Sequence, residues 1–215
     1  MFITFEGPEG SGKTTQLARA ADYLRAQGLT VLQTREPGGT PLADRIREVL
    51  LDAANTGLTP SAELLLYAAA RAQHVVEKIK PALQRGEVVL CDRFADSTLA
   101  YQGYARGLDL NLVAQVNLFA TGGLEPDLTL LFDLPVEVGL ARAGARAKHL
   151  PDEQREDRFE REEIAFHQRL RDGYLHLAKA HAERFRVIDA AADVDAVWQR
   201  TRAILDAEVL RRRGR

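Results

Sequence analysis

The chain has 215 residues, 46% of them hydrophobic, and a formal net charge of −2; that is enough for one α/β domain, 1–215, with a real core, and the near-neutral balance speaks against a broad basic field for nucleic acid. Its single cysteine, Cys91, excludes an internal disulfide framework and suits a reducing compartment. No apolar run is long enough to cross a bilayer and no basic segment followed by an apolar stretch opens the chain, so a cytoplasmic protein without membrane contact is expected.

In chain order, residues 3–5 read as an apolar strand. Gly7-Pro8-Glu9-Gly10-Ser11-Gly12-Lys13-Thr14 follows and matches G-x-x-x-x-G-K-[ST], the phosphate-binding loop. A helix is expected over 13–27, with Leu17, Ala21 and Leu24 on one face and Gly28 just past its end. Residues 30–33 form a second strand, and Thr40-Pro41 supplies N-cap and first residue for a helix reaching residue 51. Thr59-Pro60 repeats that signal for a long helix towards residue 84, kinked near Pro81. The fully apolar run 88–91 suits the centre of a parallel sheet. Helical segments follow at 96–102 and 111–119, a strand at 128–132 and a helix over 135–144. A charged stretch, 145–158, precedes a long helix to about residue 183, a last strand at 185–188 and a closing helix from Val194. Alternating strands and helices predict a parallel sheet covered on both faces, with ligands at the carboxyl ends of the strands.

The phosphate loop has the right setting, a strand before it and a helix after it. Its amides and the helix N-terminus face an anion, Lys13 reaches the β- and γ-phosphates, and the Thr14 hydroxyl ligates Mg²⁺. Asp92-Arg93 follows the strand 88–91, on the same edge of the sheet. Asp92 there can hold Mg²⁺ and Arg93 a phosphate; an acid–base pair closing the strand exit is the other reading. Arg35, in the Pro- and Gly-rich turn 34–40, and Arg47, on the helix after it, are candidates for a second phosphate, though each alone reads as a solvated charge. Tyr67 and Arg71 share a helix face, suited to stacking a planar base and bonding its edge, or simply to the rim of a core. Cys91 lies inside a strand and reads as a small buried apolar residue. His74, His149, His167, His176 and His181 show no metal-ligand spacing and read as helix-surface or lid residues. Trp198 sits at core-like spacing on the last helix.

Taken in order and spacing, residues 7–15, 34–40, 92–94, 97–103 and 126–130 resemble the bacterial thymidylate kinase family, over essentially the whole chain. The resemblance implies a three-layer P-loop NTPase fold: a five-stranded parallel sheet flanked by helices, with a mobile lid at about 142–157. It implies transfer of the γ-phosphoryl of ATP to dTMP, giving dTDP for dTTP synthesis, with Mg²⁺ and in a homodimer. By position it makes Gly7 through Thr15, including Thr15 itself, the ATP site. Thr14 and Asp92 become the metal residues. Tyr67 would stack on thymine, Arg71 bond its O4 edge, and Thr98 and Gln102 contact the base. Tyr101 would lie near the sugar, Glu9 near its 3′-hydroxyl or the metal, and Arg35, Arg47 and Arg93 would hold the dTMP phosphate. The phosphate loop carries no arginine, so Arg142 and Arg146 on the lid, then Lys148 and Arg155, are the expected source of the missing charge.

Two other readings fit the phosphate loop. A kinase for another small acceptor differs in its pocket, and three arginines favour an acceptor that already carries phosphate. An NTP-dependent switch would hydrolyse its nucleotide without a small acceptor and leaves 97–103 unexplained.

Overall fold

A computed structural model describes residues 1–52, 54–55, 57–147, 159 and 162–210. Five strands, β1 (Phe2–Glu6), β2 (Val31–Arg35), β3 (Val88–Asp92), β4 (Leu128–Asp133) and β5 (Phe185–Asp189), pair in parallel in the order β2-β3-β1-β4-β5. The helices among the described residues are α1 (Lys13–Ala26), α2 (Pro41–Leu51), α3 (Pro60–His74), α4 (Lys80–Gln84), α5 (Ala95–Thr98), α6 (Leu110–Thr121), α7 (Val136–Ala147), α8 (Ile164–Ala180) and α9 (Val194–Leu205).

Every strand of this sheet except β2 opens on, or runs through, fully buried positions, because helices cover both faces. Alternate residues of β1 serve opposite layers. Ile3 and Phe5 join Leu17, Leu24, Leu90, Phe132, Val197 and Leu205 under α1 and α9. Phe2 turns to the other face, against Val89, Cys91, Phe94 and the turn after α3. On that face too, Leu131, Tyr101, Phe166, Leu170 and Tyr174 pack between α5 and α8. Trp198 packs edge-on against Tyr23 at the rim of the first layer, as its spacing predicts.

The helix starts follow their caps. Thr40 and Thr59 accept hydrogen bonds from the amides of Ala43 and Ala62, each just ahead of a proline. Asp109 caps α6 in the same way. The expected continuous helix 60–84 is instead α3, a π turn at Val75–Ile79, and α4. The break precedes Pro81 because its ring crowds the carbonyl four residues back and its missing N–H leaves that carbonyl unpaired; a wider turn accommodates both. The expected helix 96–102 is likewise split, into α5 and a π turn at Leu99–Ala105. The register pairs Asp92 with both Phe5 and Arg35, so three segments leave the sheet from one row.

Candidate active site

The loop after β1 holds its shape through the backbone. Gly7, Gly10 and Gly12 all have positive φ, a region costly for other residues. A Cβ on Gly10 would stand 2.1 Å from the carbonyl oxygen of Gly139, and one on Gly139 would stand 2.6 Å from that of Glu9. The loop thus lies directly against the backbone of α7. Lys13 folds over it and donates to Pro8 O at 2.8 Å and Ser11 Oγ at 3.1 Å. Burial, followed by the like charge of Arg93, pushes the Lys13 pKa down to about 7. An arriving polyphosphate reverses that balance by giving the ammonium a counter-charge.

Thr14, at the start of α1, donates to Asp92 Oδ2 at 2.6 Å, although 78 residues separate them. The two oxygens fit Mg²⁺, which takes one or two protein oxygens and completes its shell with phosphate and water. Among the described residues no group of three His, Cys, Asp or Glu side chains stands ready to hold a metal by itself.

Arg93 is the one described non-glycine residue with positive φ, at 69°. Its side chain is held by Gly7 O, Ser97 Oγ and the Tyr174 hydroxyl at 3.0, 3.3 and 3.1 Å. It also reaches Glu9 Oε1 at 3.3 Å and lies 5.0 Å above the Tyr101 ring. Those contacts hold the guanidinium over the mouth of the phosphate loop and hold a backbone conformation that costs on the order of 1–3 kcal/mol. Burial alone would raise the Glu9 pKa, but Arg93 and Lys13, aided by the Tyr101 hydroxyl that donates to Glu9 Oε1, bring it below the usual carboxylate value. Glu9 is therefore a carboxylate.

A second group of polar side chains gathers around Arg71. Arg71 is 2% exposed. Its Nε donates to Glu36 Oε2 at 2.8 Å, its Nη1 to Thr98 Oγ1 and Asn117 Oδ1 at 2.9 and 2.7 Å, and its Nη2 to Phe94 O at 3.1 Å. Tyr67 packs beside the Tyr101 layer. Gln102 Nε2 donates to Glu63 Oε1 at 2.9 Å. Arg35 Nη2 meets Asp44 Oδ1 at 3.2 Å and Arg47 Nη1 donates to Pro37 O at 2.9 Å, so both guanidinia sit around the turn after β2.

The structure thus brings Lys13, Thr14, Asp92, Arg93, Glu9 and Tyr101 into one cluster, and Arg71 and Thr98 into another. Arg142 joins neither. Its guanidinium donates to Ala190 O, Ala191 O and Ala192 O at 2.7, 2.9 and 3.4 Å. That makes it a strut between α7 and the turn after β5, where an arm reaching for phosphate was expected. The side chain of Arg146 and residues 148–158, with Lys148, His149 and Arg155, lie outside the described residues.

Several participants escape sequence reading. Glu6 is fully buried; it accepts from the Phe94 amide at 2.7 Å, Ser97 Oγ at 2.6 Å and the Tyr174 hydroxyl at 3.1 Å. Burial, then the charge of Asp96, raises its pKa to about 7. Its position as the last residue of β1, on the pleat face shared with Phe2, was the available signal. His74 and His167 are corrections: both are buried, not on a helix surface. His74 joins Thr34 Oγ1 at 2.6 Å to Glu36 Oε1 at 3.0 Å, and His167 Nδ1 lies 3.7 Å from Glu9 Oε2. An apolar stretch of helix hides a polar residue as readily as it exposes one, so spacing alone could not place them. His176 and His181 are more open, on and just after α8. Cys91 is buried as expected; its thiol donates to Arg93 O at 3.0 Å, and burial pushes its pKa well up.

The chain is similar to known proteins in sequence and in fold. The family model described as thymidylate kinase matches residues 5–201. The thymidylate kinase of Citrifermentans bemidjiense is 58% identical over 212 residues, covering 99% of this chain and 92% of that protein. That of Geobacter sulfurreducens is 57% identical over 211 residues, covering 98% and 99%. The crystal structure of thymidylate kinase from Ehrlichia chaffeensis superposes with a TM-score of 0.75 at 36% identity, covering 95% of this chain and 98% of that one.

Proposed function

This chain belongs to the thymidylate kinase family, and from that premise we propose how its site works. The enzyme phosphorylates dTMP to dTDP with ATP, a step of dTTP synthesis. A dTMP phosphate oxygen attacks the γ-phosphorus in line. The acceptor is already ionised at neutral pH, so the protein aligns the two phosphates and neutralises charge, with no covalent intermediate.

Residues Gly7 through Thr15 wrap the ATP phosphates, with Lys13 on the transferred group. Thr14 and Asp92 would hold Mg²⁺, which when bound would supply charge neutralisation for the phosphates. Arg93 stands between donor and acceptor. Arg35 and Arg47 take the other side of the dTMP phosphate, and Glu9 with Tyr101 flanks the sugar. Tyr67 stacks on the base, which Arg71, Thr98 and Gln102 read along its edge. In the lid at 142–157 we give the arm that approaches the phosphoryl group to Arg146, because Arg142 is engaged elsewhere. The observation that carries this reading is the bond between Thr14 and Asp92 beneath Arg93. It joins the phosphate loop to the β3 exit at one point.

The working form is a homodimer. Leu65 on α3, Val76 beside it and Leu112, Leu118 and Phe119 on α6 are all more than half exposed, Phe119 by 90%. α2, α3 and α6 pack side by side, and we assign the subunit contact to this exposed apolar surface. Among the described residues no helix is long and apolar enough to cross a membrane, and we place the enzyme in the cytoplasm.

Turnover with ATP and Mg²⁺ against dTMP, dUMP, dCMP, UMP, AMP, thymidine or no acceptor tests the assignment. Rapid ADP and dTDP formation with dTMP is expected. ADP release independent of any acceptor would overturn it. Sedimentation at micromolar concentration should show a dimer.

A further inference from the structure

Glu63, Tyr67 and Arg71 follow one another at four-residue intervals on α3 and share a face. Thr98 and Gln102 keep the same interval across α5 and the π turn after it. Two bonds tie these rows together, Arg71 Nη1 to Thr98 Oγ1 at 2.9 Å and Gln102 Nε2 to Glu63 Oε1 at 2.9 Å. Tyr67 stands midway along α3 between the two rungs. All four rung residues are at most 2% exposed.

A glutamine amide can turn either corner to a neighbour, but a carboxylate only accepts. The same Glu63 oxygen also accepts from Arg106 Nε at 3.4 Å, so it serves as an acceptor on both sides. Gln102 therefore has to aim its NH₂ at Glu63, and its carbonyl oxygen is left as the free corner, accepting from none of the described residues. Arg71 spends four of its five N–H groups on Glu36, Thr98, Asn117 and Phe94 O, leaving one on Nη2. Arg71 and Gln102 thus have one donor and one acceptor left to offer a base. A 4-oxo pyrimidine presents the complement, an acceptor O4 beside a donor N3–H. A 4-amino pyrimidine presents the reverse, a donor amine beside an acceptor N3.

We infer that Glu63 is a specificity-determining positioning residue: by fixing the Gln102 amide it makes the pocket take 4-oxo and refuse 4-amino pyrimidine nucleotides. This rests on the placement of the base against Tyr67 and Arg71 proposed above. Glu63 touches no substrate; it acts through Gln102.

The test compares dTMP with 5-methyl-dCMP, which differs from it only along the edge in question. Calorimetry on the unaltered enzyme should show much weaker binding of 5-methyl-dCMP, and equal binding of the two would overturn the inference without any variant. In Glu63→Gln the partner can donate or accept, so the Gln102 amide is free to turn. The ratio of kcat/KM for dTMP over 5-methyl-dCMP should then fall by about tenfold or more, with KM for ATP unchanged. Equal slowing on both acceptors would reduce Glu63 to packing and sink the inference. Gln102→Ala separates the two levels. If it lowers the ratio while Glu63→Gln does not, the base placement stands and the role of Glu63 falls. If Gln102→Ala leaves the ratio unmoved, the placement of the base falls, and this inference with it.

Discussion

The phosphate loop and the buried cluster around Arg71 are held by different means. At the phosphate loop, position comes from the backbone: three glycines and Arg93 at positive φ, a loop pressed against Gly139, and side chains of Lys13 and Arg93 bonded to loop carbonyls. In the Arg71 cluster, position comes from buried side chains bonded to one another across α3, α5 and α6, with Arg71 at the centre. The first kind of site leaves little for a ligand to rearrange, and its charges await phosphate. The second is part of the core, so altering it should disturb stability and recognition together.

The sharpest way to test that contrast is Lys13→Ala. Turnover should fall on the order of 10³-fold, while the melting temperature stays close to that of the unaltered enzyme. A large loss of stability with turnover retained would erase the distinction. Arg71→Leu should behave in the opposite way. It strands the buried carboxylate of Glu36 with His74 as its remaining side-chain partner, at a cost of about 3–5 kcal/mol in denaturant unfolding.

Glu6 offers a pH test at the junction of the two regions. Its folded-state pKa of about 7 lies above the ordinary 4.5. Between those values the folded chain keeps a proton that the unfolded chain releases, so stability from this group is lost as pH rises from about 4.5 to about 7. Glu6→Gln is permanently neutral and escapes the loss. Relative to the unaltered enzyme it should gain up to about 3 kcal/mol between pH 5 and pH 8 in chemical melts. A difference that does not change with pH would show that Glu6 is ionised throughout.

Gly10→Ala probes the backbone argument alone. Positive φ and the 2.1 Å approach to Gly139 O should lower stability by about 2 kcal/mol and the melting temperature by roughly 5 °C, with weakened ATP binding. The smallest effect is expected outside both regions. Arg19→Ala breaks the exposed pair with Asp195 and should change stability by no more than about 0.5 kcal/mol.

The same contrast explains what could be read in advance. Glycines at fixed offsets, a lysine and a hydroxyl form the phosphate loop from neighbours in the chain, so the loop and its helix were visible at once. Asp92 and Arg93 were visible because an apolar run ended there. The Glu63–Gln102 rung, the Arg71–Asn117 bond and the burial of His74 and His167 join residues far apart in sequence. Nothing local distinguishes a buried glutamate on α3 from an exposed one. The split of the helix at Val75–Ile79 was missed by a few residues, because Pro81 acts on the carbonyl behind it and not at its own position.

By itself, the sequence determined an alternating α/β chain, the place of all five strands, the phosphate loop and the acid and arginine that face it. These depend on periodicity and on backbone preferences that single residues impose over a few positions. Only the tertiary structure decided the strand order, the contact of the loop with α7, the diversion of Arg142 to the turn after β5, and which amide corner of Gln102 stays open. Each of these is settled by which distant groups come within bonding distance when the helices close on the sheet, because a buried polar group has to find its partner wherever the packing has put it.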